Sequence, residues 1–221
     1  ATFDREQLKS SEAGLKYFVL SALSSGLLLY GCSLIYGFTG STNFDLIAGQ
    51  LNDDQYALTF GIVFILVGLA FKISAVPFHM WAPDVYEGSP TSVTLFFTMV
   101  PKIAALTVFI RFLYVPFLNL IDQWQMIIVF LSIASMIFGA VAAIGQTNIK
   151  RLIAYSSISH IGYTLAGLAT VSNEGIQSSI IYNIIYILMN LGFFSCLLMM
   201  KRNKVYYEDT DDLKKKKKNH P

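Results

Sequence analysis

Residues 68–104 read GLAFKISAVPFHMWAPDVYEGSPTSVTLFFTMVPKIA. Two apolar stretches meet here, each with one lysine in its interior, Lys72 and Lys102. The link between them is punctuated by proline and glycine and carries His79, Trp81, Asp84 and Glu87. An ammonium at bilayer mid-depth costs roughly 2.5–3.5 kcal/mol even on a lenient insertion scale. Two of them in successive apolar segments call for a function, and the rest of the chain is their setting.

The chain has 221 residues, 54% of them hydrophobic and only 14% charged. Soluble domains carry about 25% charged residues, so the class is integral membrane protein. The net charge of +2 says little by itself; where the charges lie says more. The opening ATFDREQLKSSEAGLKY is polar and contains acids, which is no signal peptide. Its first residue is not Met, and the expectation is a processed start or a segment internal to a longer product. Cys32 and Cys196 both lie in apolar segments, with no Cys-x-x-Cys or Cys/His cluster to ligate zinc or an iron–sulfur cluster. A Gly-rich nucleotide fingerprint is also absent.

A spanning helix needs about 20 apolar residues to cross ~30 Å of hydrocarbon. Six segments qualify: 13–36, 56–77, 90–113, 124–144, 149–170 and 176–200. The first follows Ser10-Ser11-Glu12, a capping stretch. Gly61, Gly68, Ser132, Ala134, Ser135 and Gly139 supply small surfaces for close helix approach. The fold class is therefore all-α, a polytopic bundle of about six membrane helices in one domain over residues 1–205. Residues 206–221, with the run Lys214 to Lys218, form a charged tail or an interfacial loop leading to a further helix.

The loops test this count. With six alternating segments, one side holds Arg5, Lys9, Lys16, Lys150, Arg151 and the basic residues from Lys201 onward. Loops 37–55, 114–123 and 171–175, on the other side, hold no Lys or Arg. That is the positive-inside pattern, and it places both termini on the cytoplasmic or matrix face.

Two readings of Lys72 stand. It snorkels to the headgroups near a helix end at Pro77, or the helix breaks near Val76-Pro77 and lines a hydrated cavity, as ion-site helices do. Lys102 is harder to explain away. It sits about twelve residues from either end of its segment, and snorkelling from there has to cover roughly 10 Å. Pro101 beside it frees a carbonyl one turn earlier, an acceptor for water or an ammonium. Desolvation disfavours the charged form of a lysine, so buried lysines joined by water can exchange protons without a metal or organic cofactor.

Glu12 and Lys16, four apart, read as a surface pair worth about 0.2–0.5 kcal/mol. His160, in YSSISHIGY, is either a satisfied hydrogen-bonder or a titrating group near neutrality, with Tyr155, Tyr163 and neighbouring serines ordering water beside it. His79 belongs to a proton route or packs in the turn. Asp84 and Glu87 read as capping or terminating the half-helix.

The stretches EAGLKYFVLSALSSGLLLYG, FKISAVPFHMWAPDVYEGSPT, PKIA and QTNIKRLIAYSSISHIGY resemble the subunit 2 (N-type) branch of the antiporter-like subunits of respiratory complex I, the proton-pumping NADH:ubiquinone oxidoreductase. The resemblance covers about residues 10 to 205 and looks most like mitochondrial or alphaproteobacterial members. It implies that Lys72 is the channel lysine of a broken helix and Lys102 the central lysine of the next. Lys16 with Glu12 then matches an acid–base pair, and His160 a polar position on the connecting path. Family members are much longer, and this chain resembles only their central six helices. A fragment, or one piece of a split subunit, is therefore expected.

The resemblance further implies no cofactor on this chain, with NADH, FMN, iron–sulfur clusters and ubiquinone in other subunits. It implies membrane-arm subunits and lipids as partners, together with the chains that supply the missing helices, and no nucleic acid. The expected location is the mitochondrial inner membrane with both termini in the matrix, or a bacterial plasma membrane with both cytoplasmic. Two alternatives stay open: a subunit of a cation/proton antiporter complex, and a truncated scaffold without a channel of its own.

Overall fold

The lysine at residue 72 lies in the last turn of its helix, where the C-terminal end of the helix dipole favours a cation. The computed structural model describes residues 8–50 and 56–199. Among them are eight α-helices: α1 (Leu8–Thr39), α2 (Phe44–Gly49), α3 (Tyr56–Ile73), α4 (Trp81–Gly88), α5 (Thr91–Tyr114), α6 (Ile121–Ile144), α7 (Ile149–Ala169) and α8 (Asn173–Met199). Six are long, α1, α3, α5, α6, α7 and α8, and the fold is the all-α bundle expected. The stretches Lys9–Thr39, Thr91–Tyr114, Leu118–Ile144 and Asn173–Met199 are long and apolar enough to cross a membrane; Leu58–Ile73 is apolar but shorter. The basic residues at Arg5 and from Lys201 onward, and the tail 206–221, lie outside the described residues.

The broken helix is real, and its break is a built structure. Helix α3 stops at Ile73, before Pro77, because Ser74 turns left-handed at φ 63°. Ala75 N then donates to Ala70 O at 2.9 Å and Ser74 N to Phe71 O at 3.1 Å, the paired bonds of a Schellman end. Glycine is the usual residue at this position; serine occupies it here. Backbone groups released by the break need partners inside a membrane. The Trp81 indole donates to Phe71 O at 2.9 Å, and Val76 N donates to Ser135 Oγ on α6 at 2.9 Å. The chain resumes as the short α4, which lies between α1 and α7.

Helix α7 is central. It carries Lys150, Arg151 and several serines, and it buries Ile153, Ser157, Ile158, Ile161 and Leu165 against protein, so its polarity meets the bundle interior. Its closest companion is α6, met through glycine: a Cβ at Gly139 would lie 2.6 Å from Ser159 N. Helix α1 meets α3 in the same way, since a Cβ on Gly31 would fall 2.7 Å from Gly61 O. The apolar core runs along α3, α5 and α6 through Leu66, Phe109, Leu113, Trp124 and Ile128. Lipid-facing positions such as Phe18, Met126, Ile137 and Ile185 stay exposed, as in a bundle whose outside is hydrocarbon.

Candidate functional site: buried lysines beside a helix break

Lys102 lies midway along α5 and is 1% exposed. Its ammonium donates to Ser157 Oγ on α7 at 2.8 Å and stands 5.8 Å from the centroid of the Tyr86 ring on α4. Ser157 in turn donates to Ala154 O at 2.8 Å. Pro101 frees the Phe97 carbonyl, and the structure assigns that acceptor to Tyr86, whose hydroxyl donates to it at 3.4 Å. A phenol from the half-helix thus donates to the carbonyl that the proline frees. The broken helix thus does more than open a gap. It delivers Tyr86, itself fully buried, to the side of Lys102.

Lys72 is half-buried and points the other way, its ammonium 3.4 Å from Ser21 Oγ on α1. Pro77 lies exposed in the break, four residues after the helix has ended. His79 is 8% exposed, with its ring 4.4 Å from that of Phe138 on α6.

His160 is half-buried on α7. Its Nδ1 pairs with the Tyr182 hydroxyl at 2.6 Å, and its ring lies 4.9 Å from that of Tyr186. Both tyrosines belong to α8; Tyr163, expected beside it from its own helix, is a neighbour too, its ring 6.4 Å away. Ser157, the partner of Lys102, lies three residues before His160 on α7, while Lys72 faces α1.

Lys16 and Glu12 form their pair at 2.6 Å, but Lys16 also reaches Asp84 on α4 at 2.8 Å. Arg151 on α7 holds Asp84 at 2.7 Å and Glu87 at 3.0 Å, and Lys9 holds Glu87 at 2.7 Å. Asp84 and Glu87 are thus not caps: α4 has no side-chain cap bond at its start, and both carboxylates tie it to α1 and α7. A cavity of about 160 Å³ opens among Lys9, Glu12, Asp84, Glu87 and Arg151. Lys150, read from sequence as a loop charge, is 3% exposed and donates to Ser89 O at 3.0 Å.

Burial alone would raise both carboxyls of α4. Hydrogen bonds from Lys16 and Arg151 outweigh it at Asp84, and those from Lys9 and Arg151 at Glu87, holding both below the usual carboxylate range. A carboxylate held down contributes stability that is complete above its unfolded value of about 4 and lost as pH falls through the lower folded value. Thermal stability is therefore expected to fall below about pH 4, and Asp84→Asn to lose less over the same acid range. Identical acid profiles for the two proteins, followed by thermal unfolding, would contradict this network.

The sequence did not single out Tyr86, Arg151, Tyr182 or Tyr186, and it set Ser157 beside His160 without its bond to Lys102. The two α8 tyrosines had a signal: polar residues recur at helical spacing on one side of an otherwise apolar segment. Arg151 had none, because its acids lie 64 and 67 residues away.

The family described as "NADH:quinone oxidoreductase/Mrp antiporter, TM" matches residues 1–219. NADH-quinone oxidoreductase subunit N of Pelagibacter ubique is 78% identical over 221 residues, which is 100% of this chain and 47% of that protein. The chain thus spans about half the length of this curated relative, at 47% of it. Among solved structures, a chain of respiratory complex I from Thermus thermophilus with bound aureothin is 37% identical with a TM-score of 0.73, over 88% of this chain and 42% of that one. A chain of the Mrp complex from Dietzia sp. is 26% identical with a TM-score of 0.78, over 85% of this chain and 35% of that one. The fold of a helix broken beside buried lysines and the match over 1–219 agree: the chain belongs to the transmembrane family of NADH:quinone oxidoreductases and Mrp antiporters.

Proposed function

We propose that this chain is the central portion of a proton-translocating subunit in the membrane arm of an NADH:quinone oxidoreductase. The observation that carries the reading is Lys102: an ammonium 1% exposed at mid-helix, held by one serine hydroxyl and a tyrosine face. Such a group is costly to bury as a fixed charge. Cycling between charged and neutral forms, it takes up and releases protons, with Ser157 orienting its nitrogen and Tyr86 screening it from lipid. His160 is the next proton-exchanging group along the bundle. Lys72, beside the break, and Lys16 with Glu12, at the basic end, are assigned to the approach. Pro101 and Pro77 serve by shaping backbone, and His79 lies along the approach in the turn.

The redox chemistry of NADH, FMN, iron–sulfur clusters and ubiquinone is assigned to other subunits, with none of these bound here. The partners are other membrane-arm subunits, the helices before and after this stretch, and lipid, with no role for nucleic acid. A bacterial plasma membrane with both termini cytoplasmic fits the bacterial relatives and the one-sided loop charges; those relatives lend no support to the mitochondrial expectation. Residues 1–205 are taken as one membrane domain, followed by the charged stretch 206–221.

A second reading, a subunit of a cation/proton antiporter, draws on the likeness to the Mrp chain at a TM-score of 0.78. The 78% identity to a subunit N weighs against it. The purified native assembly separates the two. NADH oxidation sensitive to quinone-site inhibitors, in particles containing this chain, is the expected result. Cation-driven proton exchange without NADH oxidation would overturn the proposal.

A further inference from the structure

Helix α8 carries Ser179, Asn183, Tyr186 and Asn190 on one buried face, at 2%, 7%, 6% and 3% exposure. Steps of four, three and four residues set them in one row, while Ile181, Ile185 and Leu188 of the same helix stay exposed. Two members of the row have ordinary backbone bonds. Ser179 Oγ donates to Thr164 O at 2.9 Å, and Asn190 Nδ2 to Tyr186 O at 2.8 Å.

Tyr186 is different. Its hydroxyl is buried without a well-formed hydrogen bond, although the side chains of Asn190 and Ser157 lie close enough to interact with it. A buried hydroxyl left short of partners costs stability, so packing alone would be served at least as well by phenylalanine. Its location supplies another reason for the oxygen. On one side is Ser157, the hydroxyl bonded to the Lys102 ammonium. On the other is His160, whose ring is 4.9 Å from that of Tyr186 and whose Nδ1 is held by Tyr182, one turn earlier on α8. Tyr186 thus touches both pairs, its hydroxyl near Ser157 and its ring against His160.

We propose that the Tyr186 hydroxyl is the link through which a proton passes between the Lys102–Ser157 pair and the His160–Tyr182 pair. A phenol both donates and accepts. It releases its proton to one neighbour as it receives one from the other, so no phenolate remains and the chain's charge changes only at the lysine and the histidine. The assignment rests on the proton path proposed above.

The test is Tyr186→Phe in the full-length subunit within its native assembly, reconstituted in vesicles beside Lys102→Met. Protons moved per electron pair and the thermal midpoint are read together. The Phe variant is expected to move about fivefold fewer protons or less, with its thermal midpoint unchanged or raised. Unchanged translocation overturns the link. So does failure to assemble, or a lowered midpoint with full translocation per assembled particle, since either makes the hydroxyl structural. If Lys102→Met loses translocation and Tyr186→Phe does not, the path stands and the link falls. If neither loses it, the path itself fails and takes the link with it.

Discussion

The Lys102→Met variant is expected to translocate protons at no more than about one-tenth of the parent's rate, the loss of a positioned proton-transfer group, while assembling to the same amount. Methionine keeps the length of the side chain and removes its charge and donors. Its packing is undemanding, because an unbranched thioether adapts to the Tyr86 and Ser157 surroundings. Replacing a buried charge by an apolar side chain of similar volume is often neutral or stabilising. The thermal midpoint should therefore hold or rise. Ser157 keeps its bond to Ala154 O, so it is not left unpaired by the change. Acidification of vesicles on NADH addition, normalised to assembled complex, checks this. A parent-like rate in fully assembled particles would contradict it.

Gly139→Leu is expected to cut the amount of assembled protein about tenfold, through the α6–α7 seam, since one or two kcal/mol already change folded populations by factors of 5–30. A Cβ there would meet Ser159 N at 2.6 Å and Tyr155 O at 2.9 Å, both backbone atoms that no rotamer change can clear. Overpacking costs typically ~1–3 kcal/mol and more when backbone must move. The seam also positions the candidate site, because α7 holds Ser157, His160 and Arg151 and α6 supplies Ser135 to the break. Gly192→Leu is the matched comparison, with nothing within 4 Å of the added Cβ. Quantitative immunoblotting of membranes should show the first depleted and the second near parent level. Equal amounts of both would contradict the packing argument.

Much of the fold was legible because membrane insertion imposes strong local rules. Apolar runs of spanning length and loops that divide Lys and Arg by side define helices and their alternation without any knowledge of tertiary contacts. The break was legible in outline and misplaced in detail. Proline is the strongest local breaker, so Pro77 drew the boundary, yet the helix ends at Ile73 because Ser74 adopts the left-handed conformation, for which serine gives no warning. Lys102 stood out because a charge at mid-depth is expensive wherever its helix packs. Its partners did not stand out. Ser157 is one of several serines in YSSISH, and only the packing of α5 on α7 decides which faces the ammonium. The acids of α4 were misread as caps for a related reason: their cations lie on α1 and α7, far away in sequence, and local spacing carries no trace of them.

A fall in translocation rate alone can come from slow turnover or from a broken path, and the ratio of protons moved to electron pairs transferred separates the two. That ratio, measured in vesicles for the Lys102→Met assembly beside the parent, decides whether protons pass by way of Lys102. A lower ratio is expected for the variant in particles of unchanged subunit content and thermal stability. An unchanged ratio in such particles would show that protons cross without Lys102, and the reading of this chain as the centre of a proton path would be wrong.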